Sequence, residues 1–438
     1  MKRELQERAM SRVQDERRIP AEAGGGPWQA GRGRMDAGLL VVLFILVSFG
    51  LVMLFSASMN LGYALSENPT SYILRQGIFS ALGLAVALLI AFLGIRWLDR
   101  IALAAGVFAV TTLLLVLVLF TEEGRYGGRR WFELPMGLGF QPTELAKVAM
   151  IYCYAVYRSW LRKRRTAGGF RTRRGAVAQA FLDGILDLFI PLACLALWIG
   201  LIVLEPHFSC VVILLGLALV MALTTRIRIA SLLAGLTLSG LAGGGLFLAI
   251  RAALPVLPAS FAKYLDFQYA LDRLRIFFTP DQATPDELLQ LQQSIRAIGS
   301  GGLTGVGLGL GRQKYGYLPM SHNDYIFSVI GEELGFVGSM LVLLLFLFLL
   351  ARGLTVAGRA RSPLGLHLAA GTSVLIVLQA YLNVAVATNL LPPTGISLPF
   401  FSYGGTSNLF FLAAMGLLLA VSRTLPAAGA RTPAGRRP

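Results

Sequence analysis

Long apolar runs broken by short polar stretches dominate this chain. Ten of them fall at about 38–58, 73–94, 101–120, 142–158, 186–204, 208–224, 229–250, 325–351, 366–391 and 400–422. Each is near the ~20 residues a helix needs to cross roughly 30 Å of hydrocarbon. Neither strict alternation nor one-sided amphipathic periodicity prevails, so strands and surface helices of a soluble protein do not explain the pattern. The fold class predicted is an all-α polytopic integral membrane protein of about ten transmembrane helices. Composition agrees, with 55% hydrophobic and 14% charged residues and a mean hydropathy of +0.67.

Charge then orients the spans. The stretch 158–174 holds Arg162-Lys163-Arg164-Arg165, Arg171, Arg173 and Arg174 with no acid among them, which places it in the cytoplasm by the positive-inside rule. Counting outward, Arg96, Arg100, Arg226, Arg228, Arg352, Arg359 and Arg361 also fall inside. So do both termini: a tail at 1–37 that reads as disordered, and a basic tail at 424–438. The first tail lacks the short apolar core of a signal peptide. The membrane domain is 38–423. The net charge of +16 follows from these basic loops, which set topology and meet anionic lipid. No basic groove with interleaved aromatics points to nucleic acid. Cys153, Cys194 and Cys210 lie in or beside apolar spans without metal-site spacing and read as packing residues.

The opposite side carries the candidate chemistry. A compact polar loop spans 121–141, a long loop spans 251–323, and a Pro-rich re-entry spans 391–403. Loops as long as the second tend to be functional or disordered. Inside it, Pro285 to Ile298 predicts an amphipathic helix with Leu288, Leu291, Ile295 and Ile298 on one face. That face suits either the membrane interface or the protein's own helices. The run Gly299 to Gly311 lacks the strand and following helix of a nucleotide loop and predicts a tight, close-packed loop. Asp324 stands at the mouth of the eighth span, with Glu332 and Glu333 inside it. Acids at such depth cost several kcal/mol and are functional candidates. Asp324 also fits a helix N-cap, worth about 1 kcal/mol. Glu144 and Lys147, three apart, suit either an intramembrane pair or a cavity lining. Gln379 and Asn383, one turn apart, suit interhelical hydrogen bonds.

Several ordered motifs resemble the SEDS family (shape, elongation, division and sporulation), which includes RodA, FtsW and SpoVE. They are Arg129-Arg130-Trp131-Phe132 through Phe140-Gln-Pro-Thr-Glu144-Leu-Ala-Lys147, then Gln313-Lys314 with Tyr317-Leu-Pro319. His322-Asn-Asp324-Tyr-Ile-Phe327, Gly331-Glu-Glu-Leu-Gly335 and Leu398-Pro-Phe-Phe-Ser402-Tyr-Gly-Gly-Thr-Ser407 follow. The resemblance covers about 38–423 and leans towards FtsW and SpoVE. It implies a peptidoglycan glycosyltransferase that polymerises lipid II at the outer face of the bacterial cytoplasmic membrane, beside a class B penicillin-binding protein. The family's catalytic aspartate falls at Asp324, which would deprotonate the attacking sugar hydroxyl. Arg129, Arg130, Lys314 and Arg312 would offset charge on the leaving pyrophosphate, a task a divalent metal could share. Glu144, Lys147, Glu332 and Ser402 are candidates for lining the substrate site. One departure stands out: many relatives have an acid after Glu-Pro, whereas this chain reads Glu205-Pro206-His207. Two other functions fit the same segments, a lipid II flippase and a non-catalytic scaffold for cell-wall synthesis.

Overall fold

A computed structural model describes residues 33–121, 130–134, 138–172, 175–205, 207–225, 227–253, 277–279 and 285–425. Every one of the ten predicted spans is helical. The helices are α1 Ala37–Ser66, α2 Ser71–Leu93, α3 Ile101–Val118, α4 Pro142–Thr166, α5 Ala176–Gly184 and α6 Ile190–Leu204. They continue with α7 Phe208–Leu223, α8 Ile229–Ala253, α9 Pro285–Gly301, α10 Ile326–Arg359, α11 Pro363–Ala387 and α12 Gly405–Ser422. Seven segments are both long and apolar enough to cross a membrane, counting α5 and α6 with the π-turn between them, Ile185–Phe189, as one. The helices α7 and α8 are apolar but shorter over their qualifying stretches.

Local chemistry explains where these elements begin and end. Asp36 caps α1 by accepting from Leu39 N at 3.0 Å. Ser362 caps α11 by accepting from Gly365 N at 3.1 Å, with Pro363 in the first turn, where its missing N–H costs nothing. The helix α4 has Glu144 in its first turn and Lys163, Arg164 and Arg165 in its last, matching the helix dipole at both ends. This match carries α4 eight residues beyond the predicted end at 158, so Arg162 to Arg165 are helical rather than loop. The predicted polar loop 121–141 also contains structure, a small hairpin pairing β1 Phe132–Leu134 with β2 Leu138–Phe140.

The centre of the bundle is α11 and α12, each 67% buried over its apolar window, against 22% for the peripheral α3. Small residues allow the close approach that holds membrane helices together. A Cβ on Gly416 of α12 would lie 2.7 Å from the Ala87 backbone of α2, so only glycine permits that crossing.

One span is broken. Within α10, Gly335 has φ 66° and ψ −163°. Irregular backbone inside a membrane protein requires its polar groups to be met by protein. Here the glycine-rich loop supplies the partners. Phe336 N donates to Gly302 O at 2.9 Å and Val337 N to Leu303 O at 3.1 Å, while Val306 N and Gly307 N donate to Glu332 O and Glu333 O, both at 3.0 Å. The tight loop predicted over 299–311 is therefore a splint on α10. The preceding helix α9 packs on α10 with Leu291 buried, and Ser294 Oγ donates to Ala387 O at 2.6 Å. Its apolar stripe thus serves the protein's own core, although Ile295 remains exposed.

Candidate active site

A cavity of about 280 Å³ opens between the hairpin, the start of α4, the α6–α7 turn, the loop before α10 and the segment before α12. Asp324, Arg130, Glu144 and Lys147 all line it, joined by Gln141, His207, Gln379 and Ser407. Four predicted site residues, drawn from positions as far apart as 130 and 324, therefore share one chamber. Arg129 lies outside the described residues.

Asp324 sits on a loop gripped at three successive carbonyls. Tyr403 N donates to His322 O at 2.9 Å, Ser402 Oγ to Asn323 O at 2.7 Å, and Asn383 Nδ2 to Asp324 O at 2.7 Å. The same Asn383 nitrogen donates to Ile396 O at 2.6 Å, so one buried amide joins the two loops that face each other across the chamber. The carboxylate lies over Gly395, where an added Cβ would stand 3.3 Å from Asp324 Oδ2. Helix α10 starts one residue later than an Asp324 cap requires, with Tyr325 at the cap position and no side-chain capping bond.

Lys147 and Glu144 form the intramembrane pair, with Nζ 2.7 Å from Glu144 Oε1. The pair is extended rather than closed. Lys147 Nζ also donates to Gln379 Oε1 at 2.6 Å, and Ser407 Oγ donates to Glu144 Oε2 at 3.0 Å. Gln379 Nε2 in turn donates to Ser397 O and Oγ, both at 3.1 Å. This chain of contacts runs from α12 through α4 and α11 to the segment before α12. It satisfies both charges, the condition for keeping an ion pair at 2% and 5% exposure. Pairing and cavity lining are both true of these residues.

Arg130 enters from the hairpin side, and its Nε donates to Glu205 O at 2.9 Å. The Glu205 side chain is wholly buried, and neither carboxyl oxygen has a hydrogen-bond partner among the described residues. Burial pushes its pKa up to about 9, with the Arg130 charge opposing only in part. A neutral Glu205 adds no negative charge beside Arg130. His207 occupies the position of the missing acid. Its Nδ1 lies 3.1 Å from Thr143 Oγ1 and 3.4 Å from Gln141 Nε2. Burial first, then Arg130 and Lys147, hold its pKa well below the ordinary histidine value, so the ring is neutral at pH 7. Where the resemblance implies an acid, the chamber wall thus carries a neutral imidazole.

Three predicted site residues are placed elsewhere. Lys314 and Glu333 form an ion pair at 2.7 Å with no exposed side-chain surface. Lys314 Nζ also donates to Ser56 Oγ at 2.9 Å and to Gly309 O at 2.8 Å. Glu332 accepts from Arg312 N at 2.7 Å and from Gln313 N at 3.2 Å, holding the glycine-rich splint. Ser402 spends its hydroxyl on Asn323 O and accepts from Leu398 N at 2.7 Å. All three shape the loops around the chamber without lining it. Among the described residues no group of three or more His, Cys, Asp or Glu side chains is arranged to hold a metal ion.

A family model described as a cell cycle protein of the FtsW, RodA and SpoVE type matches residues 37–426. The chain belongs to the SEDS family. A "Probable peptidoglycan glycosyltransferase FtsW" of Trichlorobacter lovleyi is 35% identical over 397 residues, covering 89% of this chain and 93% of that protein. Stage V sporulation protein E of Bacillus subtilis is 33% identical over 392 residues, covering 89% and 97%. A solved peptidoglycan synthase complex, described as coordinating polymerization and crosslinking, is similar in fold with a TM-score of 0.61. It is 29% identical and covers 90% of this chain and 98% of that one. Within the SEDS frame this chain is FtsW-like, as the resemblance in its motifs implied.

Proposed function

We propose that this SEDS protein is a peptidoglycan glycosyltransferase that polymerises lipid II, and that Asp324 is its general base. One observation carries this proposal above others: a single chamber gathers a clamped carboxylate with Arg130 and Lys147. Chain growth joins a sugar 4-hydroxyl to the anomeric carbon of a second sugar and expels a lipid pyrophosphate. The hydroxyl is a weak nucleophile. A carboxylate that accepts its proton as the C–O bond forms accelerates such a step by about 100- to 10,000-fold. Direct displacement inverts an α-linked donor to a β-linked product and needs no covalent intermediate.

The leaving pyrophosphate needs positive charge rather than a proton. Arg130, backed by a neutral Glu205, and Lys147 supply it in a space partly shielded from water, where fixed charges act most strongly. Gln379 and Glu144 orient Lys147. The neutral His207 offers a hydrogen-bonding edge without adding charge. Arg129 belongs to the same basic pair in the sequence and carries the same assignment. Lys314, Glu332 and Ser402 act as supports for the loops in this reading, not as substrate contacts.

The chain lies in the bacterial cytoplasmic membrane as ten spans with both termini inside, so the chamber faces outward where lipid II is presented. A class B penicillin-binding protein is its partner and supplies crosslinking. The relatives named FtsW and the solved synthase complex support this partnership. Purified protein with its partner should convert labelled lipid II into long glycan chains. Transbilayer movement of lipid II in proteoliposomes without polymer would favour a flippase, and neither activity would favour a scaffold.

A further inference from the structure

A second cavity, of about 250 Å³, lies towards the arginine-rich end of α4 and begins at Met150, one turn beyond Lys147 of the Asp324 chamber. Its wall is apolar: Ala104 and Phe108 of α3, Met150 of α4, Leu195 and Trp198 of α6, and Ala218 of α7. The polar groups at its edge are turned to protein partners. Tyr154 Oη lies 2.9 Å from Thr225 Oγ1, and Trp198 Nε1 donates to Thr112 Oγ1 at 2.8 Å. Cys153 Sγ donates to Ala104 O at 3.3 Å, and Asp187 pairs with Arg158 and Arg165. A water molecule needs two to four polar partners to stay in a cavity, and these are already engaged.

The helix on one side of the cavity is irregular. The π-turn Ile185–Phe189 runs into Pro191, which has no N–H to continue the ladder. Tyr157 Oη instead donates to Leu186 O at 2.7 Å. Such π-turns are frequent at functional sites. The open edge of the cavity lies between two small exposed residues, Ala105 of α3 and Cys194 of α6. That edge continues into the lipid-facing surface through Leu103 and Leu197, 44% and 47% exposed.

Charge marks the mouth. Arg100 directly precedes the lining residue Ile101 and stacks over Trp97 at 4.8 Å. Arg164 stands two turns beyond Tyr157 on α4 and over Trp160 at 5.8 Å. Both arginines are exposed, and neither is in an ion pair among the described residues. Tryptophan and arginine together are the side chains of the headgroup level. We infer that the groove between α3 and α6 binds one acyl chain of an anionic glycerophospholipid, whose headgroup is held by Arg100 and Arg164.

The test uses the full-length protein in nanodiscs with phosphatidylglycerol carrying a photoactivatable diazirine in its acyl chain, compared with phosphatidylcholine bearing the same chain. After irradiation, adducts are mapped by mass spectrometry. Adducts should concentrate in 101–108 and 190–198, with phosphatidylglycerol about thirtyfold ahead, the preference two nearby cations confer at about fivefold each. Ala105→Phe and Cys194→Phe, on separate helices and at exposed positions, should each remove these adducts while leaving those on α1. Arg100→Gln with Arg164→Gln should remove the lipid preference. Even labelling of all lipid-facing helices, equal labelling by both lipids, or adducts that persist in both filled variants would overturn the inference.

Discussion

Asn383 holds Asp324 by its backbone: the buried Asn383 Nδ2 donates to Asp324 O at 2.7 Å and to Ile396 O at 2.6 Å. One amide thereby fixes the spacing between the loop that carries the carboxylate and the segment that faces it. A base must stay within hydrogen-bond reach of its proton, so this spacing is part of the chemistry although Asn383 touches no substrate.

Asn383→Leu should therefore reduce the polymerisation rate at least about tenfold while leaving the apparent lipid II KM within about threefold, the pattern of lost transition-state alignment. Two carbonyls lose a buried donor, so Tm should fall as well, with about 1–3 kcal/mol for each orphaned group. Steady-state kinetics with a melting curve checks both. An unchanged rate would mean the loops hold their spacing without the amide.

Lys147→Met leaves Glu144 buried opposite an apolar group, which costs about 3–5 kcal/mol when one partner of a buried pair is removed. Lys147→Met combined with Glu144→Gln should recover much of that Tm loss but not the activity. Recovery of activity in the double variant would show that the Lys147 charge serves only folding.

Lys314 gives the opposite pattern. Its pair with Glu333 has no exposed surface, so Lys314→Met should lower Tm sharply, and adding Glu333→Gln should restore part of it. The KM of the restored double variant should match wild type within about twofold. A KM rise of tenfold or more would move Lys314 back among the substrate contacts.

The glycine-rich splint makes a graded prediction. A Cβ at Gly305 would stand 2.1 Å from Glu333 O, whereas one at Gly302 meets nothing within 4 Å, although φ is +54° there. Gly302→Ala should cost only about 1 kcal/mol for the left-handed backbone. Gly305→Ala adds a backbone clash and should prevent accumulation of folded protein. Similar expression and Tm for both would show that the splint is looser than its contacts.

Glu205 predicts a pH effect. Its folded pKa is raised to about 9 from 4.5, so between these values the folded chain holds a proton that the unfolded chain has released. Stability from this residue is full below pH 4.5 and declines as pH rises towards 9. Glu205→Gln should make the Tm fall less steeply than wild type over that window. Parallel Tm profiles would contradict a buried neutral carboxyl.

What could be read from the chain followed from the cost of polar groups in apolar surroundings. The spans, the acids at 144 and 324 and the lysine at 147 stand out because hydrocarbon makes each of them expensive, whereas Arg130, in a polar loop, was picked out only by the resemblance of its motif. The same signal does not say where a charge is neutralised. Lys314 and Glu332 look like Lys147 and Glu144 in sequence, yet they hold a splint, because the partner groups lie on loops whose path depends on glycines at 302 to 311. Ser402 and Asn383 likewise gained their roles only when the segment before α12 met the Asp324 loop. The hairpin was hidden by its three-residue strands. The π-turn was hidden because Ile185 to Phe189 carry no special composition, and only Pro191 hints at it.

The most direct test compares lipid II polymerisation by wild type and Asp324→Asn, each with the class B partner and each shown to be folded by its melting curve. The account predicts long glycan chains from wild type and a loss of at least about 100-fold in the variant, with partner binding intact. Equal polymer from the two would contradict it and remove Asp324 from the chemistry.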